Sequence, residues 1–246
     1  MSKMEEYREA LRALDNWDSF LLQESGLPGP RGNIELARAA AEDGDEGLFR
    51  RYLAYDEQRA PTNSPAEFLA FCGVLGLGRL LAEGRTEWLA TLRECASDGR
   101  WRTREAVAMA LQRWGQTDMH LLLREMEVWS KGSPLEQRAA AAALCEPCLL
   151  KDRDDARRVL EVLDGITGSI EGVEDRTSDQ FKALRKGLGY CWSVATVAFP
   201  EEGKKLMEKW LASEDADVRW IMKENLRKKR LERLDMAWVQ KCREIL

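Results

Sequence analysis

The chain has 246 residues, 44% of them apolar, and a formal net charge of −5. That apolar share is enough for a continuous core and excludes a disordered chain, while the acidic balance excludes a polycation that grips polyanions along its whole surface. No run of about eighteen apolar residues occurs, so no membrane partner is expected, and the start of the chain lacks the charged-then-apolar order of a secretory signal, so the expected location is cytoplasmic.

Ala, Leu, Glu and Arg dominate and no segment alternates with period two, which predicts helices throughout. Residues 1–60 are acid-rich, through Glu5, Glu6, Glu42, Asp43, Asp45 and Glu46, and read as an N-terminal helical cap. Inside this cap, Leu27-Pro28-Gly29-Pro30-Arg31-Gly32-Asn33 combines two prolines that fix φ with two glycines that permit positive φ. It predicts a rigid turn that sets the angle between the cap and the first helical repeat; an anion held by Arg31 and the loop amides is the functional alternative. Next comes an apolar run over 68–81 with Gly73, Gly76 and Gly78. No strand precedes these glycines, so they predict close helix packing and not a nucleotide loop.

Breakers at 25–33, 59–65, 83–85, 97–99, 131–134, 165–175, 200–203 and 213–217 cut the chain into helix-sized pieces, with Ser64, Ser133 and Ser178 as N-cap candidates. Six cysteines lie mostly among helix formers, without the spacing of a disulfide framework, and predict reduced thiols. Cys145-Glu146-Pro147-Cys148 has the spacing of a redox or metal pair, but no second pair completes four zinc ligands, so no metal or other cofactor is expected. A single histidine, His120, leaves no Ser-His-Asp set. The stretch 223–233 is basic through Lys223, Arg227, Lys228, Lys229, Arg230 and Arg233, and reads as a solvated helix face.

The pieces repeat. Ala96-Ser97-Asp98-Gly99-Arg100-Trp101-Arg102-Thr103-Arg104, Ser130-Lys131-Gly132-Ser133-Pro134-Leu135-Glu136-Gln137-Arg138 and Ser213-Glu214-Asp215-Ala216-Asp217-Val218-Arg219 each pass from a helix end through a polar turn into a helix with Arg in its first turns. Copies recur about every 34 to 45 residues, the period of two-helix repeats. This pattern resembles HEAT repeats over roughly residues 60–235. The resemblance implies an all-α, right-handed α-α superhelix, a HEAT-like solenoid of helical pairs, in which residues 61–246 continue the cap as one domain. It also implies that Arg104, Arg138 and Arg219 bind turn carboxylates or carbonyls.

On the helix that opens at Trp101, the apolar stripe is Ala106, Val107, Ala110, Leu111 and Trp114; Trp101, Glu105 and Gln112 fall on the opposite side. A Trp beside a carboxylate off the core stripe marks a candidate site. The constellation is similar to that of the HEAT-like alkylpurine DNA glycosylases, which carry a Trp and an Asp four apart, an Arg in a Gln-Arg-Ala-Ala setting one repeat on, and a second Trp further on. Here Trp101 and Glu105 resemble the first pair, Arg138 the arginine and Tyr190 the second aromatic, with Glu in place of Asp and Tyr in place of Trp. The resemblance implies an aromatic cleft for an alkylated nucleotide, with Glu105 as the catalytic carboxylate stabilising charge that develops on the sugar. The primary expectation is a non-catalytic HEAT-repeat scaffold that binds a protein or peptide on its concave surface through Trp101, Glu105, Arg138 and Tyr190. The alternative is a DNA-binding protein of the glycosylase kind.

Overall fold

A computed structural model describes residues 2–245. Fourteen α-helices and two short 3₁₀ turns, and no strand, occur among these residues, so the fold class is all-α. None of the described helices is long and apolar enough to cross a membrane. The chain divides into two compact units, Met1–Thr117 and Asp118–Leu246.

The first unit contains α1 (Lys3–Arg12), α2 (Asp18–Gln23), α3 (Ile34–Asp43), α4 (Glu46–Leu53), α5 (Glu67–Ala82), a 3₁₀ turn at Thr86–Trp88, α6 (Leu89–Cys95) and α7 (Trp101–Thr117). Its centre is α5, which is buried on all sides and packs on α3, α4 and α7. Helix α5 approaches its neighbours closely because it carries glycine at the crossings. A Cβ on Gly76 would stand 2.3 Å from the Phe49 ring, and one on Gly78 would stand 2.5 Å from the Ala110 backbone. The glycines of the apolar run are thus helix-contact points. Arg79 closes the corner after α3 by donating from Nη2 to the Gly44 carbonyl at 2.7 Å and from Nη1 to the Glu42 carbonyl at 3.4 Å.

The second unit contains α8 (Met119–Trp129), α9 (Pro134–Leu144), α10 (Arg153–Ser169), a 3₁₀ turn at Ile170–Gly172, α11 (Asp179–Ala198), α12 (Pro200–Leu211), α13 (Ala216–Leu226) and α14 (Lys229–Glu244). Here α11 is central, contacting α9, α10, α12, α13 and α14. Buried polar groups on it reach across to other helices, although Thr196 Oγ1 has no hydrogen-bond partner. Trp192 Nε1 donates to Thr167 Oγ1 at 3.0 Å, and the fully buried Asn225 amide donates to the Leu188 carbonyl and accepts from the Ser193 N–H, both at 2.8 Å.

Two of the three expected serine caps hold, and aspartates cap further helices. Ser133 and Glu136 form a reciprocal capping box, Ser178 caps α11, and Asp118, Asp152 and Asp215 cap α8, α10 and α13. Ser64 departs from its expected role. Its hydroxyl accepts from the Glu67 N–H at 3.3 Å, but Ala66, in helical conformation, stands at the α5 N-cap, because the turn over 61–66 already runs into the helix.

Candidate functional site

Helix α7 places the site. Its start is fixed by Arg100, which is only 3% exposed and donates to the Asp98 carboxylate, at 2.7 Å from Nη2, and to the Tyr55 and Ala60 carbonyls. The next residue, Trp101, opens the helix. The sequence stripe holds in three dimensions: Ala106, Val107, Ala110, Leu111 and Trp114 are buried, whereas Trp101 remains 47% exposed and Glu105, one turn on, is exposed beside it.

Trp101 and Glu105 share a pocket of about 280 Å³ lined also by Leu27, Pro30, Arg31, Gly32, Ile34, Phe68, Phe71 and Arg102. Its walls come from three places: the 27–34 segment, the first turns of α5 and the first turns of α7. The Phe68 and Phe71 rings lie nearly parallel, 6.3 Å apart. The turn over 27–33 is therefore a wall of the site as well as a connection into α3. The turn itself demands glycine, since a Cβ on Gly29 would meet the Gly26 carbonyl oxygen at 2.4 Å.

A partly buried polar network holds these walls together. Asn63, at φ +66°, occupies the left-handed region that asparagine tolerates. Its N–H donates to Glu67 Oε2 at 2.7 Å, and its Oδ1 accepts from the Gly29 N–H at 3.1 Å and from Arg102 Nη2 at 3.2 Å. Arg102 also donates to the Gly29 carbonyl at 2.6 Å and to Glu67 Oε2 at 3.1 Å. One guanidinium thus joins the 27–33 turn, the Asn63 turn and α5. Its carbon stands 4.4 Å from the centre of the Trp101 ring, so part of the Trp101 π-surface already carries a cation.

In comparisons with family models, curated proteins and solved structures, nothing matches this chain. The second unit holds the other two predicted residues. Arg138, on α9, lies against α11, with its Cγ 3.3 Å from where a Gly187 Cβ would stand. Tyr190, three residues further along α11, is 45% exposed. Its hydroxyl accepts from Arg230, whose guanidinium carbon lies 4.5 Å from the ring centre, and Lys228 Nζ lies 5.9 Å from it. The basic stretch 223–233 is accordingly tied to Tyr190 through its central residues, a contact that helical periodicity did not predict.

The repeat arginines divide. Arg104 donates to the Asp98 and Gly99 carbonyls at the head of its own helix, as expected, at 2.8 Å for Gly99. Arg219 donates to the Ile245 carbonyl. The turn carboxylates beside it are held by Arg176, which bridges Asp215 at 2.6 Å and Asp217 at 3.1 Å, and by Arg185, 2.9 Å from Asp217. The 165–175 insertion supplies its own arginine, 176, next to its end, and this side chain takes the turn carboxylates. The Arg176 hydrogen bond holds Asp215 below the usual carboxylate range.

The six cysteines are free thiols. Cys145 ends α9 and is buried; burial and then a hydrogen bond with Cys191 push its thiol well above the ordinary value. Cys148, three residues on, is exposed. No group of three or more His, Cys, Asp or Glu side chains suited to a metal occurs among the described residues. Sequence reasoning missed Asn63, Glu67 and Arg102. The signal for Arg102 was its place beside Trp101 in an Arg-rich helix start, which does not distinguish a solvated arginine from a buried one.

Proposed function

We propose that this chain is a non-catalytic scaffold of HEAT-like helical pairs, wound as a right-handed α-α superhelix, that binds a protein or peptide partner, with the Trp101–Glu105 pocket as one of its contact points. The observation that carries the reading is the Trp101–Arg102 stack within a pocket walled by Phe68, Phe71, Leu27 and Ile34. Such walls take an apolar side chain and release its water, the usual basis of an interface anchor. A guanidinium already over Trp101 works against a cationic occupant, because a second cation near the same ring meets like charge at close range. That disfavours an alkylated, positively charged purine in this pocket.

A second reading, a DNA-binding protein related to alkylpurine DNA glycosylases, is favoured by Tyr190. An exposed aromatic ring flanked by Arg230 and Lys228, with Arg138 on the neighbouring helix, suits a stacked base and its phosphates. In that reading Glu105 stabilises positive charge developing on the sugar. The two readings separate on incubation with an alkylated duplex. The scaffold releases no base and shows no steep salt-dependent DNA binding. Release of an alkylpurine by the wild type, lost in Glu105→Gln, would establish the second reading in place of the first.

A further inference from the structure

We infer that the Trp101 pocket is an anchor site for a peptide bearing one aromatic side chain next to an acidic residue. The inference rests on the peptide reading above and narrows it to a ligand chemistry.

Size sets the anchor. About 280 Å³, lined by Phe68, Phe71, Leu27 and Ile34 among others, accommodates a single large side chain and not a helix face. The walls favour a flat group. Phe68 and Phe71, nearly parallel and almost wholly buried, line the pocket, and Trp101, half exposed, supplies its open aromatic surface, so an aromatic side chain finds a ring to pack against. The guanidinium over Trp101 draws on the ring's electron density, which suits a neutral or electron-rich ring as its neighbour and not a lysine or arginine.

Charge sets the flank. Four charged side chains border or underlie the pocket: Arg31, Arg102, Glu105 and Glu67. Arg102 and Glu67 neutralise each other, with 6% and 0% of their side chains exposed. Glu105 is exposed but is not free of partners. Arg31 is exposed at the lining and makes no hydrogen bond or ion pair among the described residues, so it is the unspent charge of the site. A carboxylate one to three residues from the anchor reaches it, and Arg's planar fork pairs with a carboxylate in two-pronged geometry.

The test uses the full chain, immobilised, and a phage-displayed library of random nine-residue peptides. The expected result is enrichment of peptides with one Phe, Tyr or Trp and an Asp or Glu within three positions. Their affinity, measured on synthetic copies, should fall at least about tenfold in Trp101→Ala. In Arg31→Glu the selection should turn from acidic to basic flanks, an inversion that a purely structural role for Arg31 does not produce. Helical circular dichroism checks that both variants fold. Enrichment of peptides without an aromatic residue, or with basic flanks on the wild type, that still depends on Trp101 overturns the inference and leaves the peptide reading standing. Enrichment indifferent to Trp101→Ala overturns the inference and leaves the peptide reading standing; no enrichment at all overturns both.

Discussion

Arg102 Nη1 lies 3.1 Å from Glu67 Oε2 with both side chains almost wholly withdrawn from water. The pair is imperfect, since Glu67 Oε1 and Arg102 Nε have no hydrogen-bond partner. Removing one member of a buried pair strands the other charge, at a typical cost of about 3–5 kcal/mol. Arg102→Met is expected to cost that much, because the Gly29 and Asn63 contacts go with it. The double variant Arg102→Met/Glu67→Leu is expected to cost less than the sum of the single changes. Urea unfolding of the four proteins measures this, and strict additivity would show that the pair is not coupled.

Gly78 meets α7 so closely that any side chain must displace backbone. Gly78→Ala raises intrinsic helix propensity but pushes Cβ to 2.5 Å from the Ala110 backbone. Overpacking of this kind typically costs about 1–3 kcal/mol, which outweighs the roughly 1 kcal/mol gained from propensity. The denaturation midpoint is expected to fall. A rise would mean that α5 and α7 separate at little cost.

Asp215 gives the fold an acid-sensitive joint. Its pKa is lowered first by the Arg176 hydrogen bond, and its carboxylate also caps α13 through the Asp217 and Val218 N–H groups. A carboxyl with a lowered folded-state pKa stabilises fully above its unfolded value, near 3.8, and that stabilisation disappears as pH falls through the folded value. Asp215→Asn keeps a good cap and removes the charge. The variant is expected to be less stable than wild type at pH 6 and to converge with it as pH falls through the lowered folded-state value. A stability difference that does not shrink on acidification would rule out the ionised carboxylate as its source.

The thiols should separate by accessibility. Burial raises Cys95 to about 12 and Cys242 to about 11, and raises Cys72 and Cys145 as well, whereas Cys148 is exposed. Thiolate is the reactive form, so at pH 8 a thiol reagent should label Cys148 of the native protein well before the others. All six should react after denaturation without reductant. Two missing equivalents would reveal a bridge that the native structure lacks.

Trp101→Ala removes a half-exposed side chain at a helix start, and its effect on stability should stay within about 1 kcal/mol. A loss comparable to that of Arg102→Met would place Trp101 in the core support instead of at a binding surface.

By itself the sequence determined the all-helical class, the caps at Ser133 and Ser178 and the face that α7 buries, while its break at 165–175 begins inside α10. Ser133, Ser178 and the turn aspartates act on N–H groups two or three residues away, and the Ala106–Leu111 stripe comes from 100° per residue. These are local matters, decided within a turn or two of helix. It likewise picked out Trp101 and Glu105, because an aromatic off the core stripe is visible in the periodicity. Tertiary structure alone decided what surrounds them. Arg102 stands 73 residues from Gly29 and 35 from Glu67, and only packing of α7 against α5 and the 27–33 turn makes that arginine a buried wall of the Trp101 pocket. The same holds for Arg176, which takes Asp215 and Asp217 where the repeat pattern pointed to Arg219. A long, flexible side chain joins whichever carboxylate the fold brings within reach, and that proximity depends on how the helices cross and not on any spacing along the chain.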